Sequence, residues 1–301
     1  MNRTPLEVSS RDIKHPIICY RCSISGAFGT MHRCVSMNRH TTITNTGAPQ
    51  GCVISPVLFI LYTNDCVSQN SDCMTVKFAD DAALIGLIKD SENYYRDEVT
   101  NFVQWCDNNY LQLNVSKTKE LIIDFRNKKD VIIPIEIKNE NVEIVKQYKY
   151  LGTIMDEKLH WGPNTEFIFK KCQQRLYFMR KLRSFNVNTR VMLLFYRCFI
   201  ESVLTFSMQC WYGSLTLKSK CSLNKIILMA TKLSGVSVSD LQSLFDSRVL
   251  NLAERILSDP THILFSEYKL LPSGRRYQMP RFKTNRIQNS FLPSSIRLLN
   301  E

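Results

Sequence analysis

The sequence predicts an α+β chain with its strands first and its helices last. Three observations carry this. Between about residues 47 and 160, short apolar runs alternate with period two, separated by turn-forming residues, and one long helical stripe lies among them. From about 161 to 235 the apolar residues return at helical spacing in long segments. From Lys269 to Asn300 there are seven Lys or Arg and no acid, scattered among Pro and Ser. The expected organisation is an irregular leader at 1–46, antiparallel hairpins with packed helices at 47–160, a helical bundle at 161–235, and a C-terminal segment at 236–301 with an irregular basic tail.

The 301 residues suffice for a sizeable core. Apolar residues make up 44% and charged residues 22%, which is the balance of a folded globular chain and excludes a disordered one. The net charge of +12 favours a polyanionic partner, nucleic acid before an acidic membrane. Eleven cysteines without regular spacing suggest free thiols in a reducing, intracellular setting, and no secretory leader pattern opens the chain.

In order along the chain, residues 1–46 show no clean period. Cys19 and Cys22 form a C-x-x-C with His32 and Cys34 downstream, but no second C-x-x-C completes a zinc pattern, so unpaired thiols in an irregular arm are expected. Gly47 and Gly51 bracket the turn-prone AlaProGln. Ser55 followed by Pro56 reads as a helix start, with a capping hydroxyl and a proline in the first turn, and Val57–Tyr62 as a buried helix. Met74, Val76 and Phe78 alternate as a half-buried strand, Ala82–Ile88 reads as a second strand, and Asp80 and Asp81 fall at the hairpin tip. A helix follows from Ser91, with Tyr95, Val99, Phe102, Val103, Cys106 and Tyr110 on one stripe. Further strands are expected around 111–115, 120–126, 131–137 and 142–154. In 164–184, Ile168, Cys172, Leu176, Met179 and Leu182 share a helical face, with Arg175 and Arg183 inside the stripe and obliged to snorkel. Residues 189–212 read as a helix apolar nearly all round, hence buried. The most apolar part, Val191–Phe206, carries Arg197 and Glu201 and reads as too short and too charged to cross a membrane. A third helix is expected at 216–233.

The aspartate pair carries the chemistry. One Asp in a turn caps local backbone N–H groups. Two adjacent carboxylates repel, and a divalent cation relieves that repulsion. Two such ions stabilise the attacking and leaving oxygens of an in-line phosphoryl displacement. A strand–AspAsp–strand tip in a basic chain is therefore a candidate nucleotidyl-transfer site.

The stretches TGAPQGCVISPVLFILYTNDC, VKFADDAALIG, LQLNVSKTKELIIDF and QYKYLGTIMD, in this order, resemble the reverse transcriptases of non-LTR (LINE-type) retrotransposons. The resemblance runs from about residue 35 to the end. It implies a partial polymerase palm at 47–160, a thumb-like bundle at 161–235, and Mg²⁺-dependent, RNA-directed DNA synthesis with RNA template, DNA primer and dNTP as partners and no membrane. It further implies that Asp80 and Asp81 bind metal. Gln50, Gly51 and Phe78 would line the nucleotide and template pocket. Lys117 or Lys119 would protonate the leaving pyrophosphate, and Tyr150, Leu151 and Gly152 would grip the primer. One departure matters: the family places another aspartate on a strand upstream of GAPQG. Here Asp12 is the only upstream aspartate, and KHPIICYRC does not look like that strand. The expectation is a truncated copy with little or no synthesis, or else a non-catalytic nucleic-acid-binding remnant. Residues from about Lys149 to Gly235 also resemble a segment at the N-terminus of an AlkB-homologue family. No His-x-Asp and no glycine-rich cofactor loop accompany it, which argues against dioxygenase or methyltransferase chemistry.

Overall fold

The computed structural model describes residues 17–26, 53–88, 93–126 and 133–301. They form two compact units. One holds the described residues up to Tyr148 together with 156–158. The other holds Lys149–Met155 and Leu159–Glu301.

The first unit is built on a sheet. Its strands are β1 (Ile17–Gly26), β2 (Cys73–Phe78), β3 (Asp81–Leu87), β4 (Leu111–Leu113), β5 (Lys119–Ile123) and β8 (Glu143–Val145), in the order β2-β3-β1-β5-β8, with β4 also on β1. Helix α1 (Ser55–Tyr62) precedes β2, helix α2 (Asn93–Asn108) follows β3, and the short pair β6 (Glu136–Ile137) and β7 (Glu140–Asn141) precedes β8. All pairings of β1 are antiparallel, and β5 with β8 is parallel. Residues 17–26, expected to be irregular leader, thus form a strand at the centre of the sheet. In IICYRCSISG, Ile18, Tyr20, Cys22 and Ile24 alternate with Cys19, Arg21, Ser23 and Ser25, a period of two that sequence reasoning passed over, and the pairing partners fix the strand's register.

Helix α2 packs as its stripe predicts. Tyr95, Val99, Phe102 and Cys106 are buried, and the core they form includes Leu84, Leu111 and Leu113. The helix stops at Asn108, so Tyr110 is not the end of the stripe: it takes φ 54° and is exposed. At Gly86 of β3 an added Cβ would lie 2.4 Å from Tyr95 Cδ2, so glycine is what lets the helix close on the strand.

Helix α1 differs from expectation in two ways. Its N-cap is Ile54, without a side-chain cap, and proline sits in the first turn. It is also not buried. Val57, Leu58, Ile60 and Leu61 are exposed, and only Phe59 packs on the sheet-side core. Apolar composition alone predicts burial; here one side chain of the helix finds the core.

Hairpin strands β9 (Gln147–Tyr150) and β10 (Thr153–Asp156) close on a Leu151–Gly152 turn, both at positive φ (43° and 91°), the conformation a two-residue turn between twisted strands favours.

The second unit is helical. Its elements are α3 (Gly162–Ser184), α4 (Thr189–Phe195), a π turn (Tyr196–Glu201), α5 (Ser202–Leu204), α6 (Met208–Trp211), α7 (Leu217–Ser234), α8 (Leu241–Ser258), α9 (Asn285–Gln288) and α10 (Phe291–Asn300). The α3 stripe is buried through Met179, and the two arginines inside it do snorkel. Arg183 Nη1 donates to Leu233 O at 3.1 Å, and Arg175 donates to the Phe199 carbonyl. Residues 189–212 are not one uniform buried helix. Met192, Tyr196, Ile200, Leu204 and Met208 are buried, whereas Val191, Leu194, Phe199 and Phe206 are exposed. The buried residues recur every four positions. A straight α-helix, at 3.6 residues per turn, would rotate such a row steadily off its face. The π turn at 196–201 widens the helix there and keeps the row facing the core. Although Val191–Phe206 alone read as too short and too charged, the run Thr189–Trp211 holds an 18-residue window of mean hydropathy 1.5 and meets the length and composition of a membrane span. Within this unit its periodic face belongs to the main core instead.

The tail is not an extended arm. Leu270 bridges Tyr277, Asn300 exchanges two hydrogen bonds with the Tyr277 backbone (2.8 and 3.0 Å), and Ile296 of α10 is buried with Ala253 and Ile256 of α8. Tyr268 and Ser295 join through their hydroxyls at 2.7 Å. The basic residues Arg275, Arg276, Arg281 and Lys283 stay exposed around this small core.

Candidate functional site

The expected hairpin forms. Strands β2 and β3 pair from Cys73↔Gly86 to Phe78↔Asp81, leaving Ala79 and Asp80 as a two-residue turn. Ala79 takes φ 50°, a conformation a residue with a Cβ enters at a cost, and functional tips often store such strain. Asp80 is exposed and Asp81 half-buried; Phe78 is 62% exposed beside them. Two charged side chains fix the approach to this hairpin. Lys77 Nζ donates to Cys66 O at 2.9 Å and to the Thr63 carbonyl, pinning the chain after α1. The buried carboxylate of Glu98 on α2 accepts from Ser68 Oγ (2.7 Å) and from the N–H groups of Gln69 and Asn70 (2.8 and 3.2 Å).

On the other side of β3 runs β1, and the position paired with Asp81 is Ser23. Directly opposed positions of antiparallel strands share a face, with Cβ atoms about 4.5–5.5 Å apart. That is the separation at which two carboxylates share an ion, and position 23 carries a serine. Among the described residues, no group of three or more His, Cys, Asp or Glu is arranged to hold a metal. Among the described residues, the tip offers carboxylates from one hairpin, and the strand beside it, β1, offers none.

The two candidate lysines separate. Lys119 Nζ is engaged, at 2.7 Å from Glu143 Oε2 and 3.2 Å from Ser116 O. Lys117 ends a 3₁₀ turn that Asn114 caps, its backbone N–H donating to Asn114 Oδ1 at 3.1 Å, and its side chain is exposed. Tyr150, Leu151 and Gly152 lie at the β9–β10 turn. Gln50 and Gly51 lie outside the described residues, as do His32 and Cys34, and nothing structural bears on them.

The buried thiols are chemically quiet. Burial pushes Cys66 up to about 11 and Cys73, Cys106 and Cys172 up to about 12.

Comparison with known proteins gives the family. The family described as Reverse transcriptase (RNA-dependent DNA polymerase) matches residues 11–155, including β1 and both strands of the aspartate hairpin. That stretch belongs to the reverse transcriptase family. Its similar proteins are those of non-LTR mobile elements. The probable RNA-directed DNA polymerase from transposon BS of Drosophila melanogaster is 25% identical over 181 residues, 56% of this chain and 20% of that protein. The RNA-directed DNA polymerase from mobile element jockey of the same organism is 24% identical over 205 residues, 64% of this chain and 22% of that protein. The transposon X-element polymerase is 26% identical over 137 residues, 43% of this chain and 15% of that protein. The chain thus spans about a fifth of the length of the first two reverse transcriptases. A second family, described as Alkylated DNA repair protein alkB homolog 8, N-terminal, matches residues 161–202, which are α3 through the π turn.

Sequence reasoning passed over Ser23 and Asn164. Neither type is unusual where it stands, and only strand register and helix packing give them meaning.

Proposed function

We propose that this reverse transcriptase region keeps the nucleic-acid-facing parts of a retrotransposon polymerase and does not extend a primer. The observation that carries the reading is the register of Ser23 with Asp81. In-line nucleotidyl transfer by two divalent ions needs carboxylates that clamp the metals from more than one strand. In this reading Asp80 and Asp81 are one side of that clamp and the serine leaves the other side open. Of the two lysines this reading takes Lys117 as general acid, because Lys119 is paired with Glu143. The β2–β3 and β9–β10 hairpins then act as a nucleotide-side tip with Phe78 and as a primer grip, in a palm followed by a thumb-like bundle. The surplus of positive charge draws phosphate whether or not metal is held. The AlkB-like stretch is part of the helical core in this account. Dioxygenase chemistry would need two His and a carboxylate on one open face, and the five histidines of the sequence include no His-x-Asp.

The test is primer extension on a primed RNA template with dNTPs and Mg²⁺. The wild-type chain should give no more product than Asp80→Ala while retaining the template in a filter-binding assay at low salt. Extension that disappears in Asp80→Ala would overturn the loss of synthesis. Failure to retain template at low salt would overturn the binding half.

A further inference from the structure

At the N-terminus of α3 lies a cleft of about 200 Å³, walled by the Gly152 turn, by Phe167 and Lys171 of α3, by Lys149, and by Phe206. We propose that this cleft is a phosphate site, with the buried Asn164 amide as its central donor.

Asn164 is 1% exposed and lines the cleft. Its Oδ1 accepts from Ile154 N–H at 3.1 Å, which fixes the amide; the flipped side chain would set two donors against each other. Its Nδ2 has no hydrogen-bond partner. A buried donor left unmade is costly and rare, so it marks a place where an acceptor belongs. The electrostatics agree. Lys149 Nζ and Lys171 Nζ lie 4.6 and 5.1 Å from the centroid of the same Phe167 ring. Both lysines thus bring positive charge to the wall of the cleft. The first turn of α3 carries no acidic residue, so the positive end of its dipole adds to the same field. No residue lining the cleft is acidic. Gly152 keeps the entrance open, because a Cβ there would lie 3.1 Å from the Phe206 ring, at a backbone angle that side chains avoid.

The amide donor of Asn164, the Lys171 ammonium and the helix N-terminus together call for an acceptor-only anion with several oxygens, which is a phosphate group. That the phosphate belongs to a nucleic-acid strand rests on the reverse transcriptase reading. A free phosphate would satisfy the same donors.

The experiment separates the two sources. A fluorescent single-stranded DNA oligonucleotide is titrated by anisotropy with the full chain, with Asn164→Asp and with Lys171→Gln, and inorganic phosphate is titrated calorimetrically. Asn164→Asp keeps the acceptor for Ile154 N–H and replaces the donor by a negative oxygen. It should weaken oligonucleotide binding at least tenfold, and Lys171→Gln at least threefold. A methylphosphonate oligonucleotide, whose backbone is neutral, should bind wild type and both variants alike. Should Asn164→Asp fail to fold by circular dichroism, Lys171→Gln decides. Equal oligonucleotide and phosphate binding by wild type and the folded variants overturns the site but leaves the family reading untouched. Asn164-dependent binding of inorganic phosphate without oligonucleotide binding keeps the site, identifies the free anion as its ligand, and counts against the nucleic-acid reading.

Discussion

The sheet unit and the helical unit hold their candidate functional groups in opposite ways. At the aspartate hairpin the charged groups stand at an exposed tip, and what they can do depends on what a neighbouring strand brings. In the helical unit the central polar group, Asn164, is buried, fixed by one hydrogen bond, and surrounded by donors already in place. A tip site is disabled by one wrong residue on the adjacent strand without any loss of fold. The cleft cannot change so quietly, because its central donor is part of the packing.

The largest expected effect lies in the helical core. Trp211 is 1% exposed, and its Nε1 donates to Phe206 O at 3.0 Å. Trp211→Ala should cost about 3–5 kcal/mol, read as a lower urea midpoint. In the sheet unit, Gly86→Ala drives a Cβ into Tyr95 and should cost about 1–3 kcal/mol in the same assay. A neutral Gly86→Ala would mean that α2 is free to shift on β3, and the contrast between a packed sheet face and an adaptable tip would fail.

A smaller effect is expected at the start of α8. Asp240 accepts from the N–H groups of Gln242 and Ser243 (2.7 and 3.0 Å). Its carboxyl is held below the ordinary value first by the Ser243 hydroxyl and then by the Ser243 N–H. Asp240→Ala should cost about 0.5–2 kcal/mol. Because the folded pKa is depressed, that contribution is present above the usual aspartate value of about 3.9 and is lost as pH falls through the folded value. The wild-type and Asp240→Ala melting temperatures should therefore converge in acid; a gap that persists at pH 2 contradicts the assignment. Smallest is the thiol pattern. At pH 8, iodoacetamide should modify the exposed Cys198 and Cys221 long before the buried Cys106 and Cys172. Equal rates would show that the cores open readily.

The sequence made the helices with a single packed face legible. The α2 and α3 stripes, the arginines that snorkel and the α7 span follow from spacing alone. The aspartate hairpin was also legible, because alternation on both sides of AspAsp leaves little else. Strand β1 was passed over, because the alternation of Ile18, Tyr20, Cys22 and Ile24 is short and set among Cys19, Arg21 and Ser23, and only its pairing with β3 and β5 makes it a central strand. The docking of α10 was not legible, since it rests on side-chain bonds such as Tyr268 with Ser295 between residues far apart in the chain. The four-residue row from Met192 to Met208 hid the π turn, because composition reports apolarity but not how a helix must widen to keep it on one face. At the candidate site, residue types singled out Asp80 and Asp81, while the serine paired with Asp81 acquires meaning only through register.

That register is open to direct measurement. Manganese binding can be followed by electron paramagnetic resonance for the wild-type chain, Ser23→Asp, and Ser23→Asp combined with Asp80→Ala. Wild type should hold Mn²⁺ only weakly at the tip. Ser23→Asp should bind at least tenfold more tightly, and removing Asp80 should abolish the gain. Wild-type binding as tight as that of Ser23→Asp, and sensitive to Asp80→Ala, would mean that the hairpin already has its partner, and the claim that position 23 is the missing side of the clamp would be wrong.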